Sequence, residues 1–467
     1  MSAEWQIARI EDIAAKRPSA MATGPFGSSI SAKYFQKEGV PVIRGSNLSP
    51  DIQTKLDDSG LVFVSDEKAR EFDRCLVGKG DLVFTCWGTI NQVGLIDRDA
   101  AYESYIISNK QMKLTVDEQY VDPRFIYYVF SGPEKQAEII DNGIGSSVPG
   151  FNLGQLRKHK VLLPSLREQR AIADTLDLFT NRITLLRETN ATLEAIAQAL
   201  FKSWFVDFDP VRAKAEGRQP EGAMQGSTSA AERKMPKAAL APATAALFPD
   251  SFEESELGLV PKGWKVMPFL DVCDLQGGAQ PPASTFVDEP RDGYVRLLQI
   301  RDFSTDAHKT YIPDTQKLKK VTEDDVLIGR YGSASGDKAK DSLGRVCRGL
   351  SGSYNVALMK LCPIKVGREF AFQLVSDPSF YGYLQGVSSK AVQSGFSKGE
   401  LGQYKVAVPP RELVEIYEQF GGSVWARVKS NRQQAQTLTQ LRDTLLPRLI
   451  SGQLRLPETE VLLEEAV

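Results

Sequence analysis

The stretch SLREQRAIADTLDLFTNRITLLRETNATLEAIAQALFKSWF (165–205) decides how the rest of the chain is organised. Its apolar residues recur at alternating steps of four and three, and Asn190 occupies the one polar position of this series. The apolar members are Ile172, Leu176, Phe179, Ile183, Leu186, Leu193, Ala197 and Leu200. Such a heptad seam predicts a long coiled-coil helix that requires a partner helix. Asn190 is a candidate for fixing the register of the pair, and the alternative is an ordinary mismatch facing Gln433 or Gln434.

Composition and charge are those of an ordinary globular protein. The chain has 467 residues, 42% of them hydrophobic and 25% charged, and a net charge of −2. It has no run of about 18 apolar residues, and its first residues are acidic and amphipathic, so we expect neither a membrane span nor a secretion signal. Five cysteines lie without metal-ligand spacing, which predicts reduced thiols and a cytoplasmic location. The charge argues against a general nucleic-acid coat but is compatible with a local DNA-binding face.

The second half of the chain repeats the first, which is the most informative property of the sequence. GDLVFTCWG (80–88) matches DDVLIGRYG (324–332), and GQLRKHKVLLP (154–164) matches GELGQYKVAVP (399–409). In each half these segments precede a long helical pattern. The chain therefore has the order domain, helix, domain, helix.

The second helix, over about 411–446, carries a seam of its own. Its apolar members are Ile416, Phe420, Val424, Val428, Leu438, Leu441 and Leu445. Gly421 and Gly422 lie within it and should kink the helix or fray its first turns. Two tandem units of this kind pack most simply with the helices antiparallel, so that each helix buries the seam of the other.

We therefore predict an α+β fold in which two tandem mixed α/β domains are separated by two long antiparallel helices. The helices form an intramolecular coiled coil, and the arrangement is pseudo-two-fold symmetric. The expected divisions are an N-terminal domain (1–163), a central long helix (164–205), a connector (206–258), a C-terminal domain (259–409), a distal long helix (410–452) and an acidic tail (453–467).

A dense group of aromatic residues closes the first long helix. It comprises Phe201, Trp204, Phe205 and Phe208. Such a group would form an exposed apolar patch unless it is covered. We expect it to pack on the base of the first domain, and docking of a partner protein is the alternative.

Sequence motifs of enzyme active sites are missing. The tetrapeptide DPRF (122–125) lacks the second proline of a methyltransferase loop and instead fits the start of one helix over 123–140, with Asp122 as its N-cap. The glycine-rich GPFGSS (24–29) lacks the lysine of a phosphate-binding P-loop. No zinc-protease or serine-hydrolase motif occurs, and two histidines are too few for a histidine-based metal site. We predict no catalytic residue, no metal ligand and no cofactor site in this chain.

Several stretches carry a resemblance to a known family. They are GPFGSSI (24–30) with VPVIRGSNL (40–48), LPSLREQRAIADTLD (163–177), ALFKSWFVDFDPVRAKAEGR (199–218) and SELGLVPKGW (255–264). On these stretches the chain resembles the specificity (S) subunits of type I restriction–modification systems. One departure is that Leu413 stands in the second helix where the first has Gln169, which leaves equal docking of partners on the two helices open.

The resemblance implies two target-recognition domains, each of which reads one half of a split, asymmetric sequence in double-stranded DNA. The helix pair would set the separation of the two halves. The implied partners are two modification subunits, which are S-adenosylmethionine-dependent adenine methyltransferases, and in some complexes two restriction subunits. The chain itself would be a non-catalytic subunit of the methyltransferase or restriction endonuclease complex. A coiled-coil scaffold or inhibitor-type interaction protein that reads no DNA is the alternative, which the negative net charge favours.

Base recognition needs side chains with paired hydrogen-bonding groups, whereas phosphates suit lysines, small hydroxyls and backbone N–H groups. In the first domain the candidates are Gly27, Ser28, Ser29, Arg44, Asn47, Thr89, Asn91, Lys110, Ser146 and Ser147. In the second domain they are Gln276, Gln299, Arg301, Arg330, Tyr331, Ser333, Lys338, Ser389, Lys390, Gln393 and Lys398. A solvated loop side chain is the alternative for each of them. The matching aromatics Trp87 and Tyr331 are expected to be core or rim residues rather than base-stacking groups.

Overall fold

The computed structural model describes residues 5–145, 149–222, 238–305, 307–332, 342–388 and 395–456. The chain forms two compact units. Unit 1 comprises Met1–Glu188 and Arg432–Val467, and unit 2 comprises Thr189–Asn431. No helix within the described ranges is long and apolar enough to span a membrane.

The first part of the chain contains short strands and then one very long helix. The strands are β1 (Gln6–Arg9), β2 (Met21–Thr23), β3 (Val40–Ile43), β4 (Val62–Val64), β5 (Leu76–Gly78), β6 (Leu82–Thr85), β7 (Val93–Leu95), β8 (Ser104–Ile107), β9 (Gln111–Leu114) and β10 (Lys160–Leu163). The helices are α1 (Ile10–Ile13), α2 (Asp66–Arg70), α3 (Pro123–Ser131), α4 (Pro133–Asp141), α5 (Leu153–Lys158) and α6 (Leu166–Phe205).

The second part contains a corresponding series. Its strands are β11 (Glu221–Gly222), β12 (Ala238–Ala239), β13 (Phe252–Ser255), β14 (Gly258–Pro261), β15 (Lys265–Pro268), β16 (Cys273–Gly277), β17 (Tyr294–Leu298), β18 (Tyr311–Pro313), β19 (Lys320–Val321), β20 (Val326–Gly329), β21 (Val346–Arg348), β22 (Gly352–Tyr354), β23 (Leu358–Pro363) and β24 (Lys405–Val408). Its helices are α7 (Asp209–Ala215), α8 (Pro242–Ala246), α9 (Phe269–Val272), α10 (Arg368–Ser376), α11 (Pro378–Ser388), α12 (Lys398–Leu401) and α13 (Arg411–Ile450).

The sheet topology confirms the internal repeat. In unit 1 the two four-stranded sheets have the orders β2-β9-β6-β7 and β4-β3-β8-β5. In unit 2 the orders are β16-β23-β20-β21 and β18-β17-β22-β19, which are the same arrangements strand for strand. Each unit also has a two-stranded sheet whose strands lie far apart in sequence, β1-β10 in unit 1 and β15-β24 in unit 2. In each second sheet the central pair, β3-β8 or β17-β22, is parallel among otherwise antiparallel neighbours.

The helix expected over 123–140 is two helices instead of one. Asp122 caps α3 as predicted, because its side chain accepts a hydrogen bond from the backbone N–H of Arg124. At Gly132 the backbone turns to extended angles (φ −68°, ψ 146°), and Pro133 then opens α4 at its first position. Proline is favoured there because that N–H has no helical partner, and the residue before a proline avoids helical angles.

The long helices α6 and α13 are 40 residues each and antiparallel, which confirms the coiled-coil prediction. In unit 1 the seam residues Ile172, Leu176 and Phe179 share one core with residues of α13, namely Leu438, Leu441, Leu445, Leu446 and Leu449. In unit 2 Ala197 packs with Val424 and Val428. Each unit therefore holds one half of each helix against one half of the other.

Asn190 pairs across the seam with Asn431 and not with Gln433 or Gln434, the residues named for an ordinary mismatch. Its side-chain carbonyl accepts a hydrogen bond from Asn431 Nδ2 at 2.8 Å, and its own Nδ2 donates to the carbonyl of Val428 at 3.3 Å. Both asparagines are buried, with 8% and 2% of their surface exposed. An amide pair of this kind favours one helix register, because any shift would leave buried polar groups unpaired.

Gly421 and Gly422 do not interrupt α13, and its first turns are helical rather than frayed. The helix is continuous from Arg411 to Ile450. A Cβ atom at position 421 would lie 2.8 Å from the Cβ of Glu369 on α10. Glycine is therefore present here because α10 and α13 approach closely, and this packing offsets the low helix propensity of glycine.

The aromatic group at the end of α6 packs within unit 2 and not on the first domain. Phe205 contacts Phe370 and Tyr417, with ring centroids 4.9 and 5.4 Å apart, and Trp204 contacts Phe248 at 5.4 Å. These residues are almost completely buried. The expected intramolecular cover is present, but the second domain provides it.

Candidate nucleic-acid interface

An open cleft of about 530 Å³ in unit 1 gathers several of the predicted residues. It lies where β3 and β6 end and where the turn between β8 and β9 begins. Its lining includes Ile30, Phe35, Val42, Arg44, Gly45, Thr85, Trp87, Gly88, Thr89, Gln92, Ser108, Asn109 and Lys110. Arg44, Thr89 and Lys110 are thus brought together from three separate segments of the sequence.

Arg44 is positioned by a short 3-10 turn, Gly45–Asn47, that follows β3. Its backbone N–H donates to Asn47 Oδ1 at 3.0 Å, and its Nη2 donates to the carbonyl of Gly60 at 2.8 Å. Asn47 itself is 1% exposed, and its Nδ2 donates to the carbonyl of Asp57. Asn47 is therefore no candidate for base contact, because its amide is used up inside the domain to shape the turn that presents Arg44.

The loop of Gly27, Ser28 and Ser29 lies at the same edge as Lys110. Asn109 Nδ2 donates to the carbonyl of Gly27 at 2.8 Å, which ties this loop to the β8–β9 turn. Gly27 has a φ of 60°, a conformation that glycine adopts without strain. Asn91 is half-buried in the turn after Thr89 and does not line the cleft.

Trp87 stands at the rim of the cleft with 47% of its surface exposed. Its ring packs against the backbone of Gly150, where a Cβ atom would lie 2.6 Å from Cζ3. The neighbouring Cys86 is buried, and burial raises the pKa of its thiol to about 11, so it is not a nucleophile at neutral pH. Of the two positions expected for Trp87, core or rim, the structure shows the rim.

Unit 2 places Gln299 where unit 1 has Arg44. Gln299 follows β17 as Arg44 follows β3, and its backbone N–H donates to the side chain of Asp302 as that of Arg44 donates to Asn47. Gln299 Nε2 and Arg301 Nη2 both donate to Thr310 Oγ1, at 3.3 and 2.7 Å. The two predicted side chains are therefore held at one point of the second domain.

Arg330 and Tyr331 occupy the end of β20, which corresponds to the end of β6. The Arg330 guanidinium lies 5.0 Å from the centroid of the Tyr331 ring, and its Nε donates to the carbonyl of Phe396 at 3.4 Å. Tyr331 is 38% exposed, and a Cβ atom on Gly395 would lie 2.6 Å from its Cδ1. The exposed ring over a glycine is thus present in both units.

Gln276 and Lys398 already have partners in unit 2. Gln276 Oε1 accepts a hydrogen bond from the Tyr354 hydroxyl at 3.3 Å. Lys398 Nζ forms an ion pair with Asp274 at 2.5 Å, and its hydrogen bond lowers the pKa of that carboxyl. Any contact between Lys398 and a phosphate would have to compete with this pair.

Seven predicted residues lie outside the described parts of the chain. They are Ser146, Ser147, Ser333, Lys338, Ser389, Lys390 and Gln393. Sequence analysis also passed over Asn109, which lines the cleft and anchors the loop at Gly27. Its position directly before the predicted residue Lys110 was the one sequence feature that could have indicated it.

The fold is that of a protein with two tandem domains of the same topology, joined by two long helices. Each domain presents polar side chains at the corresponding strand ends. Among the described residues, no group of three or more histidine, cysteine, aspartate or glutamate side chains could hold a metal ion. What the domains present at their open edges are hydrogen-bonding and cationic side chains beside an exposed aromatic ring.

Comparison with known proteins finds similarity to one family. A model of the type I restriction modification DNA specificity domain matches residues 2–195. The HindI specificity subunit of Haemophilus influenzae is 25% identical over 416 residues, which cover 81% of this chain and 87% of that protein. The MjaIX specificity subunit of Methanocaldococcus jannaschii is 20% identical over 97% of this chain and 94% of its own length.

A solved structure shares the fold. The S subunit of a type I restriction–modification system from M. genitalium superimposes with a TM-score of 0.55 over 96% of each chain, at 13% sequence identity. Residues 2–195 thus match the type I restriction modification DNA specificity domain, and the chain is similar over most of its length to type I specificity subunits.

Proposed function

We propose that this chain is the DNA-reading subunit of a type I system and recognises an asymmetric, bipartite sequence, one half with each unit. The observation that carries this proposal is the equivalent position of Arg44 and Gln299. Both follow the central parallel strand of the same sheet, and both are held by the same backbone-to-side-chain hydrogen bond. Arginine pairs with the acceptors of guanine and glutamine with the edge of adenine, so the two half-sites should differ at the base read from this position.

In this proposal the chain supplies recognition and its partners supply chemistry. Two modification subunits would bind S-adenosylmethionine and methylate adenines in the half-sites, and restriction subunits would join where a system contains them. The paired helices would set the spacing between the half-sites and carry the modification subunits. A cytoplasmic location remains a prediction that accompanies this role.

The experiment is to co-express the chain with its modification subunit and to sequence the methylated genomic DNA. We expect one split, adenine-containing motif. Arg44→Ala should relax one position in one half-site only, and the matched variant Gln299→Ala should relax one position in the other half only. Loss of a good bidentate contact costs about 1–3 kcal/mol of base discrimination, which is large enough to appear in the motif.

Two results would count against the proposal. Methylation without a split motif would contradict recognition of a bipartite sequence. Binding to a random duplex library that enriches no sequence and does not weaken with salt would instead favour a scaffold that reads no DNA, since phosphate contacts make DNA binding salt-dependent.

A further inference from the structure

The ends of β6 and β20 allow the two units to be aligned residue by residue from their backbone hydrogen bonds. The N–H of Cys86 donates to the carbonyl of Lys110 at 2.8 Å, and the N–H of Arg330 donates to the carbonyl of Ala357 at 2.8 Å. The strand pairing agrees, because Phe84 pairs with Met112 as Ile328 pairs with Met359. Cys86 therefore corresponds to Arg330, and Lys110 corresponds to Ala357.

One positive charge is present at this pair of positions in each unit, but it comes from opposite strands. In unit 1 the cation is Lys110, and the position across from it is an uncharged cysteine. In unit 2 the cation is Arg330, and the position across from it is Ala357.

The described residues provide neither cation with a carboxylate partner. Within the described residues, neither Lys110 nor Arg330 forms an ion pair with a carboxylate. Lys110 is exposed and lines the cleft, and Arg330 is half-buried. Beside each stands the exposed ring that rests on a glycine, Trp87 or Tyr331.

We propose that Lys110 and Arg330 are equivalent phosphate-binding residues, each of which contacts the DNA backbone next to the base read by its unit. This inference rests on the proposed function. Residues that read different bases should differ between the units, as Arg44 and Gln299 do. A phosphate-binding position should carry a positive charge in both units, because phosphates are the same in every sequence. Either strand can contribute the cation, provided that the charge lies in the same place.

The test measures the affinity of the full chain, with its modification subunit, for a duplex that carries its motif, across a range of salt concentrations. Lys110→Ala and Arg330→Ala should each weaken binding to specific and unrelated duplexes by the same factor. Each should reduce the slope of log affinity against log salt by about 0.9, the value for one phosphate contact. The methylated motif should keep its letters.

Double variants that move the cationic residue from one strand to the other provide the decisive test. Cys86→Arg added to Lys110→Ala, and Ala357→Lys added to Arg330→Ala, should restore the salt slope, since each copies the arrangement of the other unit. Lys79→Ala is the matched control, because Lys79 is a partly exposed cation already paired with Glu103, and its slope should not change. Circular dichroism establishes that each variant is folded.

The possible results separate this inference from the function on which it rests. If the unmodified protein selects its motif but Lys110→Ala and Arg330→Ala leave the salt slope unchanged or alter the letters, the phosphate role is wrong and the proposed function stands. The same holds if the exchanged variants fold but restore nothing. If the unmodified protein selects no sequence, the proposed function fails and this inference fails with it.

Discussion

The two units attach their sheets to the long helices with different chemistry. In unit 1 a polar cluster centred on Asp177 of α6 accompanies the apolar core of the joint. Asp177 receives hydrogen bonds from Lys55 Nζ at 2.7 Å, from Arg124 Nη1 at 2.9 Å and from the Tyr128 hydroxyl at 2.7 Å. Gln53 joins both helices, since it donates to Thr184 of α6 and accepts from Arg442 of α13.

In unit 2 the joint is aromatic. Around Phe201 and Phe205 of α6, the rings of Phe370 and Tyr417 lie with centroids 4.9 to 5.6 Å away. One of its ion pairs, Arg348 with Glu369 at 2.6 Å, is almost completely buried. The Arg348 guanidinium also lies 3.9 Å from the ring centroid of Phe372 and 4.0 Å from that of Trp425.

The difference shows that the repeated fold determines where the sheets contact the long helices but not which side chains form those contacts. A partly exposed polar joint weakens with salt and acid, because its attraction is screened and its carboxylates can be protonated. An aromatic joint depends mainly on buried apolar area, which salt does not screen. The following predictions test this contrast.

The largest effect is expected for Arg348→Met in unit 2. The change leaves the buried carboxylate of Glu369 without its cation, and breaking a buried pair on one side typically costs about 3–5 kcal/mol of unfolding free energy. Urea unfolding followed by circular dichroism measures the loss. Arg368→Met is the control, because Arg368 is largely exposed and 3.8 Å from Asp324, so its removal should cost less than about 1 kcal/mol. Equal losses from the two variants would contradict the proposed weight of the buried pair.

A smaller and pH-dependent effect is expected for Lys55→Met in unit 1. Burial by itself would raise the pKa of Asp97, but the hydrogen bond and charge of Lys55 outweigh it and lower that pKa below the ordinary 3.8. Hydrogen bonds to charged groups contribute about 1.5–3 kcal/mol, so the variant should lose about that much unfolding free energy at pH 7.

The sign of the pH dependence follows from the lowered pKa. A carboxyl with a lowered folded pKa stabilises the folded state above pH 3.8 and loses that contribution as the pH falls through its folded value. The difference between the wild-type chain and Lys55→Met should therefore shrink as the pH falls below about 4. A difference that stays constant from pH 7 to pH 3 would show that the lysine acts through packing and not through its charge.

The smallest effect is expected at the asparagine pair of the helix seam in unit 2. Asn190→Leu and Asn431→Leu each leave a buried amide unpaired, at a cost of about 1–3 kcal/mol. The double variant replaces both amides with apolar groups and should recover most of that loss. A double-mutant cycle measures the coupling, with exposed Gln433→Leu as a control that should change little. Additive losses would mean that the two asparagines do not act as a pair.

Some features of the candidate site followed from local sequence, and others depended on distant contacts. Trp87 and Tyr331 were recognisable as matching rim residues because each follows a strand of the same pattern. Asn47 has the donor and acceptor groups of a base-reading side chain. However, its Nδ2 donates a hydrogen bond to the backbone carbonyl of Asp57, ten residues away. No local pattern distinguishes an amide that faces solvent from one that closes a turn.

The sequence by itself determined the two long helices, the order of the repeated domains and the resemblance to type I specificity subunits. Heptad periodicity and internal repetition are properties of neighbouring or matching segments, so they can be read along the chain. The tertiary structure alone decided that Asn190 faces Asn431, that Gly421 admits the side chain of Glu369, and that Lys110 and Arg330 lie on opposite strands of matching strand pairs. Each of these depends on which strands and helices lie side by side, and that pairing is set by packing between segments far apart in sequence.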